Sequence, residues 1–319
     1  MNRFGKWLLA AAVAAASTAM AGGASAQPLK QIKLMYTAVS GFTSAYVAQE
    51  EGFFKKHGLD VSFVLTPSSG NNPPALVSGS VQIAGPTMPT LLEANDAGLD
   101  LVVISGGAVY PLEADILVAR YGSGIKSPKD LKGKTVGVPG LGALLDFMLR
   151  RNLKANGVDP STVKFVEVGF VQAADALKSG RIDAYPAEAP FTARILQSKA
   201  GYAVKDWLAD TPDGTLTVVY ATTRKWAEAN KDTVAAFRAA MKEAIAWIPA
   251  HHEEMYKDIA KYTHLPVKVV SSLQPPNLVV DVTPKQAKFW IDLVKDSGVI
   301  KKPVDPASIL FQPDQTAAK

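Results

Sequence analysis

Short β-rich runs alternate with longer helical stretches from Gln31 onward. That alternation is the sequence form of a parallel sheet flanked by helices, because two neighbouring parallel strands must be joined by a long crossover. The fold class is therefore α/β. Ile32 to Tyr36 reads as a strand, Phe42 to Lys56 as a helix stopped by His57-Gly58, and Leu59 to Leu65 as the second strand. Asn71 to Val77 is a short helix opened by Pro73-Pro74, followed by strand Val81 to Ala84, helix Thr87 to Asn95 and strand Leu99 to Ser105.

A second unit begins with Leu112 to Arg120, and Ser127-Pro128-Lys129-Asp130 caps a short helix after it. Strands are predicted at Thr135 to Val138, Val163 to Val168 and Ile182 to Tyr185, with helices at Leu141 to Asn156, Val171 to Ser179 and Glu188 to Gln197. After the Asp210 to Gly214 turn, Leu216 to Thr222 is a strong β run with no sheet of its own nearby. Beyond it lie the helices Lys231 to Ile248, His251 to Tyr262 and Pro284 to Asp296, the last capped by Thr283. Placing the lone strand in the first sheet makes the chain cross between lobes twice, near Tyr110 to Ala114 and near Asp213 to Tyr220. The expected division is a discontinuous lobe one, 27–111 with 214–319, and a lobe two of 112–213.

Residues 1–26 carry an address. Arg3 and Lys6 give a positive start, Trp7 to Ala16 an apolar run, and Ala24-Ser25-Ala26 the small-x-small pattern of a signal-peptidase site. The run is about half of the ~20 residues that cross a bilayer as a helix, so a cleaved leader is expected rather than an anchor. No Cys occurs in the chain, which excludes a lipidated cysteine and thiol chemistry. Removing residues 1–26 leaves 293, enough for two hydrophobic cores, and lowers the net charge from +5 to +3. That charge is too small to indicate nucleic-acid binding. The expected product is an exported, periplasmic protein.

Several phrases resemble a known family. Gln49-Glu50-Glu51-Gly52-Phe53-Phe54-Lys55-Lys56-His57-Gly58-Leu59-Asp60-Val61 is similar to the "A-x-E-x-G-F-F-x-K-x-G-L-x-V" signature of periplasmic substrate-binding proteins of the SsuA-like type, which serve ABC importers of alkanesulfonates, taurine, nitrate and related solutes. Ala75 to Gly85 resembles "A-L-x-S-G-x-V-D-x-A", with Gln82 where Asp is usual. Leu131 to Gly140 looks like "L-K-G-K-x-V-G-V", and Leu177 to Ala184 like "A-L-x-x-G-x-I-D-A". Each phrase also describes an ordinary helix end or strand entry, so together they report fold rather than ligand. The resemblance implies a two-lobed, type II periplasmic binding fold that closes on a small molecule and presents it to an ABC permease in the inner membrane. It implies a monomer without cofactor or catalysis.

Ligands of open α/β sheets bind beyond the carboxyl ends of the strands. The loops there are Thr37 to Phe42, Thr66 to Asn72, Gly85 to Met88 and Gly106 to Tyr110 in lobe one, and Pro139 to Leu144, Gly169 to Gln172 and Tyr185 to Glu188 in lobe two. Apart from Glu188 they contain no charged residue, so an anion would be held by helix-start N–H groups and by Ser40, Thr43, Ser68, Ser69, Thr87 or Gln172. Gly41, Gly140 and Gly142 let backbone approach a ligand, or simply make tight turns. Phe42, Tyr110, Phe170 and Tyr185 could stack on a ligand body or pack in the core. Glu188 reads as a first-turn helix carboxylate, with receipt of an ammonium as the other possibility. The family often has an acid immediately before the residue matching Pro190, whereas Ala189 stands here. A small organic anion such as a sulfonate is the expected ligand, with an aromatic carboxylate or heterocycle as the alternative.

Enzyme chemistry finds little purchase. His57, His251, His252 and His264 are the whole histidine supply, and no H-E-x-x-H pattern exists. No metal site is expected. Gly133-Lys134-Thr135 precedes a strand instead of following one and lacks the first glycine of a phosphate loop; Gly122-Ser123-Gly124 lacks the G-x-S-x-G elbow. Pyrimidine-forming thiamin synthases share the implied fold but carry a cysteine-rich motif, and transcription regulators would need a DNA-binding helix in front. A secreted enzyme or a subunit of a membrane sensor on the same scaffold remain the other classes.

Overall fold

A computed structural model of the chain describes residues 28–110, 115–204, 207–208 and 211–313. The leader expected at 1–26 lies outside the described residues, as does part of the first crossover. Among the described residues, ten strands form two five-stranded sheets. The first sheet contains β1 (Lys30–Tyr36), β2 (Leu59–Leu65), β3 (Ile83–Ala84), β4 (Leu101–Val109) and, from much later in the chain, β10 (Leu216–Thr223). The second contains β5 (Ile116–Arg120), β6 (Thr135–Val138), β7 (Lys164–Glu167), β8 (Ala184–Ala187) and β9 (Gly201–Val204).

The two sheets have matching orders, β2-β1-β3-β10-β4 and β7-β6-β8-β5-β9. In each, three parallel strands are followed by one antiparallel strand in fourth place. That fourth strand is the one that arrives from the other lobe, β10 in the first sheet and β5 in the second. The lone β run at Leu216 therefore does complete the first sheet. Its passage back is tied to the outgoing one: Tyr110 N–H donates to Thr215 O at 2.8 Å, and Gly214 N–H donates to Tyr110 O at 2.7 Å.

Several expectations change in detail. The helix expected over Phe42 to Lys56 is two, Thr43–Glu50 and Phe53–Lys56, because Gly52 takes a left-handed φ of 77° between them. The Gly106 to Tyr110 loop is the second half of β4, which runs on to Val109. Its glycines serve close packing: a Cβ on Gly106 would meet Val279, and one on Gly107 would meet Val218. β5 starts at Ile116, β9 was not anticipated, and neither were helices Arg224–Ala229 and Val267–Val270. The C-terminal part is less uniformly helical than expected, since Asn277 to Val280 hydrogen-bonds along the free edge of β4 and covers it.

A buried cation locks that covering segment. Arg238, on helix Lys231–Trp247, is fully buried and donates to Ile104 O at 2.7 Å, Val280 O at 3.3 Å and Asp281 Oδ1 at 2.5 Å. Trp290, on helix Pro284–Asp296, donates its indole N–H to Leu216 O at 2.9 Å and so pins the start of β10. Among the described residues, no helix is long and apolar enough to cross a membrane.

Candidate functional site

The ends of strands from both sheets meet at one cavity of about 50 Å³. From the first sheet come the loop after β1, with Thr37, Val39 and Phe42, the loop after β2, with Pro67, Ser68 and Ser69, and the turn Gly85-Pro86-Thr87 after β3. The second sheet supplies Pro139, Gly140 and Ala143 after β6, Phe170 after β7 and Glu188 after β8. Strand ends converge here because the carboxyl ends of parallel strands all point the same way, which is why such crevices form at this edge.

Of the site residues expected from sequence, Phe42, Ser68, Ser69, Thr87, Gly140, Phe170 and Glu188 line the cavity. Ser40, Gly41, Gly142, Gln172 and Tyr185 do not. Ser40 instead donates its N–H to Ala189 O at 2.9 Å, a bond between the two sheets' loops. Gly41 lies against Val218, where any side chain would collide. Gly142 has a left-handed φ of 73° and faces an outer groove with Phe147 and Leu293. Gln172 is exposed, and Tyr185 is a core residue whose hydroxyl donates to Val168 O at 2.9 Å. Thr217 and Val218 on β10, and Leu144 and Leu145, join the lining though not singled out beforehand. The return crossover signalled the first two, since they lie at the start of β10 just after it.

The lobes touch around this cavity. A Cβ built on Gly140 would lie 2.6 Å from Ser68 Oγ and 3.6 Å from Ser68 Cβ. Phe170 stacks on Phe191 at 5.4 Å, and Phe42 meets Tyr220 edge-on at 5.6 Å, so both lining rings are held by neighbours. A Cβ on Gly85 would strike the Phe42 ring, so glycine there is what lets the ring face the cavity. Helices Met88–Asp96, Leu144–Ala155 and Phe170–Lys178 all start at the wall, with orphan N–H groups that favour electron-rich ligand atoms.

Glu188 is the one charged residue among the described residues lining the cavity, and no Lys, Arg or His shares the wall. It is 6% exposed, and its Oε1 has no hydrogen-bond partner among the described residues. Burial pushes its carboxyl up to about 8, because the charged form loses its hydration without gaining a cation. The sequence-level reading of Glu188 as a first-turn helix residue is corrected here. The following helix begins at Phe191, and Glu188 sits immediately after β8, pointing its chemistry at the cleft rather than at a helix dipole. Among the described residues no cluster of His, Cys, Asp and Glu could hold a metal ion.

Comparison with known proteins places this architecture. Residues 40–255, about two thirds of the chain, match the NMT1/THI5-like family. Over 143 residues the chain is 34% identical to a formylaminopyrimidine-binding protein of Halalkalibacterium halodurans, a match covering 44% of this chain and 42% of that protein. It is 27% identical over 216 residues to the bicarbonate-binding protein CmpA of Synechococcus sp., covering 57% of this chain and 46% of that one. The crystal structure of the periplasmic aliphatic sulphonate binding protein SsuA from Escherichia coli superposes with a TM-score of 0.72 at 23% identity, covering 88% of this chain and 97% of that one. The periplasmic nitrate-binding protein NrtA of Synechocystis superposes with a TM-score of 0.75 at 16% identity, over 90% and 86% of the two chains. The resemblance read from the sequence motifs is thus met at the level of fold, and the chain belongs to the NMT1/THI5-like family, with the two-lobed architecture of periplasmic binding proteins.

Proposed function

We propose that the protein is the solute-binding component of an ABC-type import system, exported with its leader cut near Ala26, and that it captures a small nitrogen-bearing ligand between lobes 27–111 with 214–319 and 112–213. The observation that carries the ligand class is Glu188, a carboxyl buried in the cavity wall with no cation beside it. When ionised, such a group repels a simple oxyanion; when protonated, it offers a single O–H donor and still accepts through its carbonyl oxygen. A ligand that donates N–H bonds, or carries positive charge, satisfies it. The opposite wall offers helix N-termini and the hydroxyls of Ser68, Ser69 and Thr87, which suit a carbonyl or anionic oxygen at the ligand's other end. Phe42 and Phe170 supply flat apolar surface between the two.

An amino-substituted heterocycle bearing an oxygen, of which formylaminopyrimidine is an example, meets all three requirements. The relationship to a formylaminopyrimidine-binding protein agrees with this choice. An amino-sulfonate is the second reading, favoured by the three helix starts at the wall. Calorimetric melting of the mature protein with formylaminopyrimidine, taurine, methanesulfonate and nitrate separates the cases. A ligand at 100 times its Kd adds about 2.7 kcal/mol and raises Tm accordingly. The expected result is stabilisation by the N–H-bearing compounds alone. Stabilisation by methanesulfonate or nitrate, with none from the others, would overturn the ligand class.

A further inference from the structure

Behind Glu188 stands a second buried acid. β5 and β8 pair antiparallel with Ile116 opposite Ala187 and Leu117 opposite Pro186, so carrying the register one step further sets Asp115 opposite Glu188. Residues directly opposite on such strands have Cβ atoms about 4.5–5.5 Å apart on one face, and like charges there destabilise the pairing. Asp115 is 8% exposed, and its Oδ1 also has no hydrogen-bond partner among the described residues. It lines a smaller chamber of about 20 Å³ with Tyr110, Thr211, Thr215 and Thr217, next to the ligand cavity and sharing Leu144, Leu145 and Thr217 with it.

Among the described residues, no cation lines the two chambers beside the two acids. Among the described residues, the titratable groups that face them are Tyr46 from helix Thr43–Glu50 and Tyr185 from β8, both raised well above the ordinary tyrosine range by burial, and Tyr110 from the crossover. Helix Leu144–Ala155 presents Leu144, Leu145 and Met148 to this region, while its Asp146 is paired with Arg150. Among the described residues, the Ala189 N–H donates to the Asp115 carboxyl, and β10 places Thr217 beside it. Burial, then the neighbouring Glu188, drive Asp115 well above its ordinary value.

We propose that Asp115 is a positioning residue for the ligand site, sharing a proton with Glu188 across the β5–β8 pair so that Glu188 meets the ligand in a protonation state that Asp115 sets. The proposal rests on Glu188 reading the ligand, but the shared proton belongs to the empty protein and is measured without ligand. Carboxyl titration by NMR of the mature protein, labelled with ¹³C at Asp and Glu, is the test. The expected result is a carboxyl still protonated at about pH 7, titrating in coupled steps, with D115N moving the Glu188 midpoint by about one pH unit or more. D115N preserves shape and one hydrogen-bonding oxygen, so folding loss and proton loss are separable; circular dichroism confirms the fold. Two ionised carboxylates at pH 7, or a Glu188 midpoint unmoved in D115N, would overturn the proposal. In a second arm, the pH profile of formylaminopyrimidine Kd shifts with the Glu188 midpoint in D115N, and an unshifted profile also counts against it. If that compound does not bind the wild-type protein, the ligand class fails while the titration still decides the pair.

Discussion

Glu188 shows how one residue's surroundings convert a charge into a selective group. Its folded pKa stands near 8 against an ordinary 4.5, so between those values the folded protein holds a proton that the unfolded chain has released. The associated stability is complete below about pH 4.5 and is lost as pH rises through about 8, with a slope up to ~1.4 kcal/mol per pH unit. E188Q removes this dependence. Urea unfolding of wild type and E188Q at pH 5 and pH 9 should show the variant gaining on wild type at the higher pH; an equal difference at both pH values would show that Glu188 does not carry the buried proton. The sequence marked Glu188 as the lone charge among the cleft loops, which was legible. Its burial and its facing partner were not, because Asp115 lies 73 positions earlier and meets it only through strand pairing.

Elements were legible in proportion to their length and periodicity. β2 and helix Pro284–Asp296 fall where the pattern put them, and β10 was recognisable because its run of Leu, Thr, Val and Tyr had no neighbour of its own. β9 escaped notice because four residues, Gly201 to Val204, carry too short a pattern to separate from the preceding turn. Gly106 to Tyr110 reads as a loop and is strand as far as Val109, since glycines that admit Val279 and Val218 are indistinguishable in sequence from glycines that turn the chain. The Arg238 lock is equally invisible from sequence, for its carbonyl acceptors belong to Ile104 and Val280. Replacing it by Met leaves those buried acceptors without a charged donor, and R238M should cost about 2–4 kcal/mol in urea unfolding. A loss under about 0.5 kcal/mol would show that the backbone hydrogen bonds to β4 and packing hold this segment without the Arg238 cation.

At the scale of the whole molecule, the proposed ligand would enter this site only if the lobes part, because a cavity of about 50 Å³ is well below the ~300 Å³ of ordinary small-molecule sites. The Cβ positions at Ser68 and Gly140 are 3.6 Å apart across the cleft, within the range of a disulfide. The chain has no cysteine of its own, so the pair S68C/G140C forms without competing partners. Oxidised, this variant should bind ligand with an association rate at least ~100-fold below wild type, and dithiothreitol should restore it. Unimpaired association in the oxidised form would mean that ligand enters by a route other than lobe opening.

The two passages between lobes are bonded to each other through Tyr110, Gly214 and Thr215. Joined in this way they behave as a flat strap rather than as two separate cords, and a strap flexes readily in one direction while resisting torsion. If the cleft opens and shuts as proposed, such a strap would bring Ser40 back to Ala189 and Ser68 back to Gly140 along one path. A binding site assembled from two halves can therefore keep its fine discrimination through many rounds of capture and release.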